Sequence, residues 1–418
     1  MALKFSKFFI ILFILTSFIT QSLSESGILY RITPPDIAGA LGLLFFVLSG
    51  RSFNFSYNQP MILFIITLFI GGLVGLNLSQ SFVEVVILLF LLLIFLVLVD
   101  FFGSVSGFCE LIYYFSLAGI LASGFGIYDY FSVVFGLPRI FPERTGGEVL
   151  SGFRNAGQAG SYAMIILAIL IPAIISKVYT LFNNKQKRTL VISLVMVSLF
   201  LFLTGKMAAY IGFGIGFLLS LLMRRNYKTF LISLVVGLIL FVVIQELPKI
   251  APDINSRISY KYETRLAGTL EGESGLTDEE GFIQNNLSKA MTAFRDNPIS
   301  GTGIGAFGGG HYDKYEVHST YFKMIGETGI IGSIAYIIFM IFFMKKLRYK
   351  KHKDMFSEFL YFVLPFIIGC LVSWAYTYHM RKREFWIMFA IIFIADYFAK
   401  SVQINNRIKT GLKQNHSQ

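Results

Sequence analysis

Apolar runs of about bilayer-crossing length alternate with short polar links along the 418 residues. A helical crossing needs about 20 mostly apolar residues. Such runs fall near 7–23, 36–50, 60–79, 82–99, 108–124, 159–176, 189–204, 206–223, 229–246, 320–344, 356–374 and 384–400. The pattern predicts an all-α polytopic membrane protein, with about twelve transmembrane helices in a single membrane domain over 1–418. Only Thr204-Gly205-Lys206 separates two of the runs. Fused into one helix they would reach roughly 50 Å, so a tight reversal is expected there. The first run also fits a signal peptide, with Lys4 and Lys7 before its apolar part and Ser22-Leu23-Ser24 as a small-x-small site. A retained helix is the favoured expectation.

Composition agrees with that pattern. Hydrophobic residues make up 55% and charged residues 14%, against about a quarter charged in soluble domains. Mean hydropathy is +0.67. The formal net charge is +12, but its excess sits in short links, where it sets orientation and implies no nucleic acid partner. With the N-terminus inside, the clusters around Lys185, Arg224, Lys346 and Lys409 all face the cytosol. Two longer segments, 125–158 and 247–319, then fall outside, the larger one between the ninth and tenth helices. They are the expected cover of an active site. Arg381, Lys382 and Arg383 break the rule by falling outside, so either the last spans are misplaced or these charges have a role there.

Inside the runs the polar signals are sparse. Gly71/Gly75 and Gly212/Gly216 fit close helix contact. Cys109 and Cys370 read as small core residues. Glu84 and Asp100 read as interfacial. Within the larger external segment, Phe282, Leu287, Met291 and Phe294 recur at helical spacing over 281–296, until Asn297-Pro298 stops the helix.

External cations carry the candidate chemistry: Arg154, Lys206, Arg257 and Arg265, with His318 ahead of the tenth run. Any one of them is most simply a side chain snorkelling to the interface. Together, beside glycine-rich turns, they suit an anion held at headgroup depth, such as a lipid pyrophosphate. A lone histidine is often a structural donor, yet His318 is also placed to orient or deprotonate an acceptor hydroxyl. No phosphate-binding ATP loop and no spaced metal ligands are present in the sequence, so no cofactor and no metal are expected.

Phe294-Arg-Asp-Asn297-Pro298, Gly301-Thr-Gly303-Ile-Gly305-Ala-Phe307, His318-Ser-Thr-Tyr321 and Glu327-Thr-Gly329-Ile-Ile-Gly332 resemble the O-antigen polymerase and ligase superfamily of bacterial envelope glycosyltransferases. Phe153-Arg-Asn155 and Thr204-Gly-Lys206 are weaker matches. Ser319 stands where that family usually has Asn, and Lys206 where Arg is common. A lysine there keeps the charge but loses the bidentate fork. The resemblance implies a metal-independent enzyme of the cytoplasmic membrane with its active site on the external side. It would move glycan from an undecaprenyl-pyrophosphate carrier to a glycan, lipid or protein hydroxyl. His318 would be catalytic, with Arg154, Lys206, Arg257 and Arg265 on the pyrophosphate and Asn297, Pro298, Gly301, Gly303, Gly305 and Glu327 as structural motif. O-antigen, capsule or exopolysaccharide assembly is the expected context, polymerase slightly ahead of ligase. A polysaccharide flippase and a chain-length regulator are candidate partners. The competing expectation is a transporter or flippase for a lipid-linked sugar, against which stand the missing internal repeat and the few intramembrane charges.

Overall fold

The computed structural model describes residues 1–21, 32–141, 151–224, 282–309, 317, 319–347 and 354–415. Among the described residues there are twelve α-helices and no strand. They are α1 (Ala2–Thr16), α2 (Pro34–Leu48), α3 (Gln59–Leu73), α4 (Leu78–Phe102), α5 (Val105–Phe135), α6 (Ala156–Ile175), α7 (Asn184–Leu203), α8 (Met207–Arg224), α9 (Phe282–Asp296), α10 (Thr320–Lys345), α11 (Met355–Ser373) and α12 (Arg383–Asn415). Eight spans, in α3 to α7 and α10 to α12, are long and apolar enough to cross a bilayer, and α2 and α8 are apolar but shorter. The protein is therefore a multi-pass membrane protein. The count among the described residues is lower than the twelve runs suggested, and the run 229–246 lies outside them.

Helix ends collect in two layers. In one, the starts of α2, α4, α6, α8, α10 and α12 come together: Arg383 bonds Asp36, Arg381 bonds Glu84, and Thr20 bonds Gln158. In the other, Lys7 pairs with Glu110, Arg51 with Asp100, and Lys346 with Asp396. The core between them is aromatic. Phe95 stacks on Phe389 at 4.8 Å, and Phe343 meets Phe389 edge-on at 5.0 Å. α8 lies against α11 with almost no side chain between them: a Cβ on Gly369 would sit 2.0 Å from the Gly212 carbonyl oxygen. The expected helix contact of Gly212/Gly216 is thus present. Gly71 and Gly75 differ: they face the carbonyls of Ser300 and Thr302, a loop and not a helix.

Several boundaries differ from the hydropathy pattern. α1 starts at Ala2 and ends at Thr16, because the next residues turn toward α6: Ser17 Oγ bonds Tyr162, and the N–H groups of Thr20 and Gln21 both donate to the Gly152 carbonyl. α5 runs on through residues expected to be loop, to Phe135, where Gly136 (φ +67°) ends it. In α9 the buried stripe is Asn286, Ala290 and Ala293, whereas Leu287 and Met291 are exposed. Two residues of the apolar stripe, Leu287 and Met291, therefore point away from the protein, while Phe294 is half-buried. α10 is broken at Gly329 (φ 59°, ψ −160°) into 320–328 and 330–345. The second piece spans roughly 24 Å.

Candidate functional site

The break in α10 is where the site begins. In an unbroken helix the N–H groups of Ile330 and Ile331 would donate to the carbonyls of Gly326 and Glu327. Here they donate instead to Pro298 and Ile299, at 2.9 and 3.2 Å. The vacated carbonyls accept from the glycine-rich loop: Thr302 N–H to Gly326 at 3.4 Å and Gly303 N–H to Glu327 at 3.0 Å. Loop and helix exchange partners, so few backbone groups are stranded. Gly329 permits it, since a Cβ there would meet the Gly301 nitrogen at 2.5 Å. On the other side, Leu76 N–H donates to the Thr302 carbonyl at 2.8 Å, which fixes the loop to the end of α3.

Glu327 locks the loop from below. Its two carboxylate oxygens accept from the Gly305 and Phe307 N–H groups, both at 2.9 Å, and Lys323 Nζ lies 3.7 Å away. Lys323 and Glu327 are fully buried. The motif residues Asn297, Pro298, Gly301, Gly303, Gly305 and Glu327 thus form one folded unit. Asn297 ends α9, Pro298 supplies a carbonyl, and the three loop glycines have φ of +73° to +92°.

A second unit forms at the start of α6. Asn155 caps the helix by accepting the Gln158 N–H at 2.9 Å, and the Arg154 N–H donates to Thr20 Oγ1 at 2.8 Å. Lys206, one residue ahead of α8, lies across this turn: its Nζ and the Asn155 Oδ1 are 3.5 and 3.1 Å from where a Gly157 Cβ would stand. Lys206 is therefore held at the helix N-terminus that Arg154 precedes by two residues, where the backbone dipole favours an anion. His318, Arg257 and Arg265 lie outside the described residues. Ser319, next to His318 in sequence, is buried and caps the first half of α10.

The segment 374–384 joins the two units. Thr320 Oγ–H donates to the Thr377 carbonyl at 2.6 Å, and its oxygen lies 2.9 Å from His379 Nδ1. With that hydroxyl proton committed, Nδ1 is the donor and carries a proton. The ring is stacked on Trp374 at 3.5 Å, and burial, reinforced by Lys382, holds its pKa well below the usual 6.5. Arg381 donates to Glu84 at 2.9 Å and lies over the Tyr378 ring, which Lys323 covers as well. Glu84, in the layer of helix ends, is consequently buried as an ion-pair partner of Arg381. Arg383 forks onto Asp36. Between these arginines, Lys382 interacts electrostatically with Lys206 and Glu384, and burial first, then Lys206, push its pKa down to about 8.

His379 and the carboxylate partners of the arginines were not among the sequence candidates. Their signal was the run Arg381-Lys382-Arg383 on the wrong side for orientation, which the acids Asp36 and Glu84 account for. Among the described residues no three His, Cys, Asp or Glu side chains gather as metal ligands would. Cys109 and Cys370 are both buried and free.

No curated protein sequence matches this chain. Residues 192–337, which include Lys206, α9, the glycine-rich loop and the break in α10, match the family model described as O-antigen ligase, which is consistent with the resemblance to the O-antigen polymerase and ligase superfamily.

Proposed function

We propose that this protein is a membrane glycosyltransferase that passes glycan from a polyprenyl-pyrophosphate carrier to an acceptor hydroxyl at the outer face of the cytoplasmic membrane. The observation that supports it best is the Lys206 side chain lying beside Gly157 and the capping Asn155 at the N-terminus of α6, inside a multi-pass bundle whose segment 192–337 matches the O-antigen ligase model. A departing pyrophosphate gains negative charge as the glycosidic bond breaks. Fixed cations and helix-terminal N–H groups stabilise that charge without reorganising. In this scheme His318 assists the attacking hydroxyl, and Arg257 and Arg265 complete the cationic wall. Segments 125–158 and 247–319 form the cover over a single domain of residues 1–418. α1, α2, α8 and the run 229–246 cross alongside the longer spans, giving twelve crossings. The leaving group supplies the driving force, so neither a nucleotide nor a metal is called for outside the cell. Polymerisation is favoured slightly over ligation.

The test is reconstitution of the full chain in liposomes with a lipid-pyrophosphate-linked glycan donor and acceptor. Wild type is expected to transfer glycan, and His318→Ala, Arg265→Ala and Lys206→Ala to lose at least a hundredfold in rate while remaining folded in the bilayer. Full activity in these variants overturns the site. Donor crossing between leaflets with no transfer returns the protein to the transporter class.

A further inference from the structure

In the layer opposite the glycine-rich loop, Asp396 of α12 holds two ammonium groups on one oxygen. Lys346, at the end of α10, lies 2.9 Å from Asp396 Oδ2, and Lys400, one turn further along α12, lies 2.8 Å from the same atom. Other ion pairs of this layer are one to one: Lys7 with Glu110, and Arg51 with Asp100. Among the described residues neither Lys346 nor Lys400 has a second carboxylate partner. Two acids at the start of α11 are engaged elsewhere: Asp354 accepts the Phe356 and Ser357 N–H groups, and Glu358 faces Lys177. Lys345 adds a third, exposed cation in the last turn of α10. The negative end of that helix offsets roughly half a unit charge. Three ammonium groups against one carboxylate and that half unit leave a positive surplus.

The cluster is rigid on one side and open on the other. The Lys346 side chain is only 11% exposed, with its ammonium over the Phe342 and Phe393 rings at 4.7 and 4.5 Å, whereas the Lys400 side chain is 56% exposed. Tyr397, between Asp396 and Lys400 in the chain, is 59% exposed, and aromatic residues of this kind favour the membrane–water boundary. Toward the bilayer centre, Ile334, Ile337, Ile338 and Ile341 expose an apolar ridge of α10. Lys345 follows Ile341 by four residues, so the ridge ends at an ammonium on the same face. We propose that Lys346, Lys400 and Lys345 bind the phosphodiester of an anionic phospholipid in the leaflet opposite the glycine-rich loop, with its acyl chains along the isoleucine ridge. The phosphate supplies the negative charge that Asp396 alone does not. A zwitterionic lipid is disfavoured, because its own ammonium meets the same surplus. The apolar ridge favours a lipid over a free phosphate, which has nothing to bury there. The inference stands apart from the glycan transfer proposed above.

The experiment reads bound lipid and needs no turnover. Full-length protein is reconstituted in nanodiscs of equal parts phosphatidylglycerol and phosphatidylcholine, and the lipids it retains on release are identified by native mass spectrometry. Wild type is expected to retain phosphatidylglycerol about tenfold over phosphatidylcholine. Lys400→Gln, at an exposed position that leaves folding intact, should lose most of that preference, and the double variant Lys346→Gln with Lys400→Gln all of it. Lys7→Gln, in the same layer, should keep it. Asp396→Asn removes the carboxylate that competes with the phosphate and should strengthen retention. Equal retention of the two lipids by wild type overturns the proposal, and so does an unchanged preference in Lys400→Gln. A loss of the same size in Lys7→Gln also overturns it, since the attraction would then belong to the whole basic face. Displacement of the lipid by inorganic phosphate would make the cluster a site for soluble anions, and overturns the lipid assignment.

Discussion

Glu327 accepts the Gly305 N–H at 2.9 Å across a distance of 22 residues, and this bond ties the glycine-rich loop to the helix that His318 precedes. The carboxylate is fully buried, with Lys323 buried beside it. Removing one member of such a pair leaves an uncompensated charge and costs about 3–5 kcal/mol. Glu327→Ala is therefore expected to lower the thermal unfolding midpoint of the purified protein strongly. Lys323→Met with Glu327→Met should recover part of the loss. Gly305→Ala acts on the same contact from the other side. At φ +92° and 3.1 Å from Glu84 Cγ, an added methyl should cost about 1–3 kcal/mol. Unaltered unfolding in both single variants would remove the loop's anchoring role.

Arg383 and Asp36 join the first and last parts of the described bundle. The guanidinium donates from Nε and Nη2 to Asp36 and from Nη2 to Thr33 Oγ1. A double-mutant cycle with Asp36→Asn and Arg383→Gln is expected to give a coupling energy of about 1–3 kcal/mol. Arg383→Lys should keep the charge and lose most of the coupling, because an ammonium lacks the planar fork. A coupling energy near zero would show that the pair is solvated in the bilayer-embedded protein.

Which parts of this site were legible beforehand follows from the range of the interactions. Lys206, Arg154 and the glycines were visible because their signals are local: a cation on the unexpected side, or a run of residues suited to positive φ. The role of Glu84 was not visible. Its partner Arg381 lies 297 residues away, and no spacing rule spans that distance. His379 stands just ahead of Arg381-Lys382-Arg383, but its partner Thr320 lies 59 residues away, and only the fold brings the two together. The break at Gly329 was hidden for a related reason. Hydropathy counts apolar residues, and Ile330 and Ile331 remain apolar whether their N–H groups bond within the helix or to Pro298 and Ile299. α9 was recognised as amphipathic, but which face it buries was not legible: small Ala290 and Ala293 pack closely on Gly326 and Phe307 while Leu287 and Met291 are exposed.

The exposed face of α9 leads to a test. Leu287 and Met291 are exposed on α9, and Ile299 just beyond the helix is 64% exposed. An amphipathic helix with such a face lies in the membrane–water boundary. Spin labels at Leu287 and Met291 are expected to collide more with oxygen than with a water-soluble nickel chelate, and a label at exposed Lys185 to show the reverse. Chelate-dominated collisions at both α9 positions would place the helix in water and move the glycine-rich loop away from headgroup depth.

The Thr320–His379 contact gives the last prediction. Thr320 N–H donates to the Trp374 carbonyl, its hydroxyl donates to Thr377, and its oxygen receives both the His379 backbone N–H, at 3.2 Å, and Nδ1. One residue of α10, two after His318, is held by four bonds to the segment that carries Lys382. Thr320→Val keeps the shape and removes the hydroxyl, so buried donors lose their acceptor, at a cost of about 1–3 kcal/mol. Thr320→Ser should restore the wild-type midpoint. Because burial and Lys382 both disfavour the imidazolium, the His379 15N signals are expected to show a neutral ring protonated at Nδ1 throughout pH 6 to 8. The sign follows from the lowered pKa. Protonation sets in only well below pH 6.5, and as pH falls through that value the contact loses stability, since the charged ring must be accommodated against Trp374 and Lys382. A ring that titrates near pH 6.5, or carries its proton on Nε2, would show that Thr320 does not set its state.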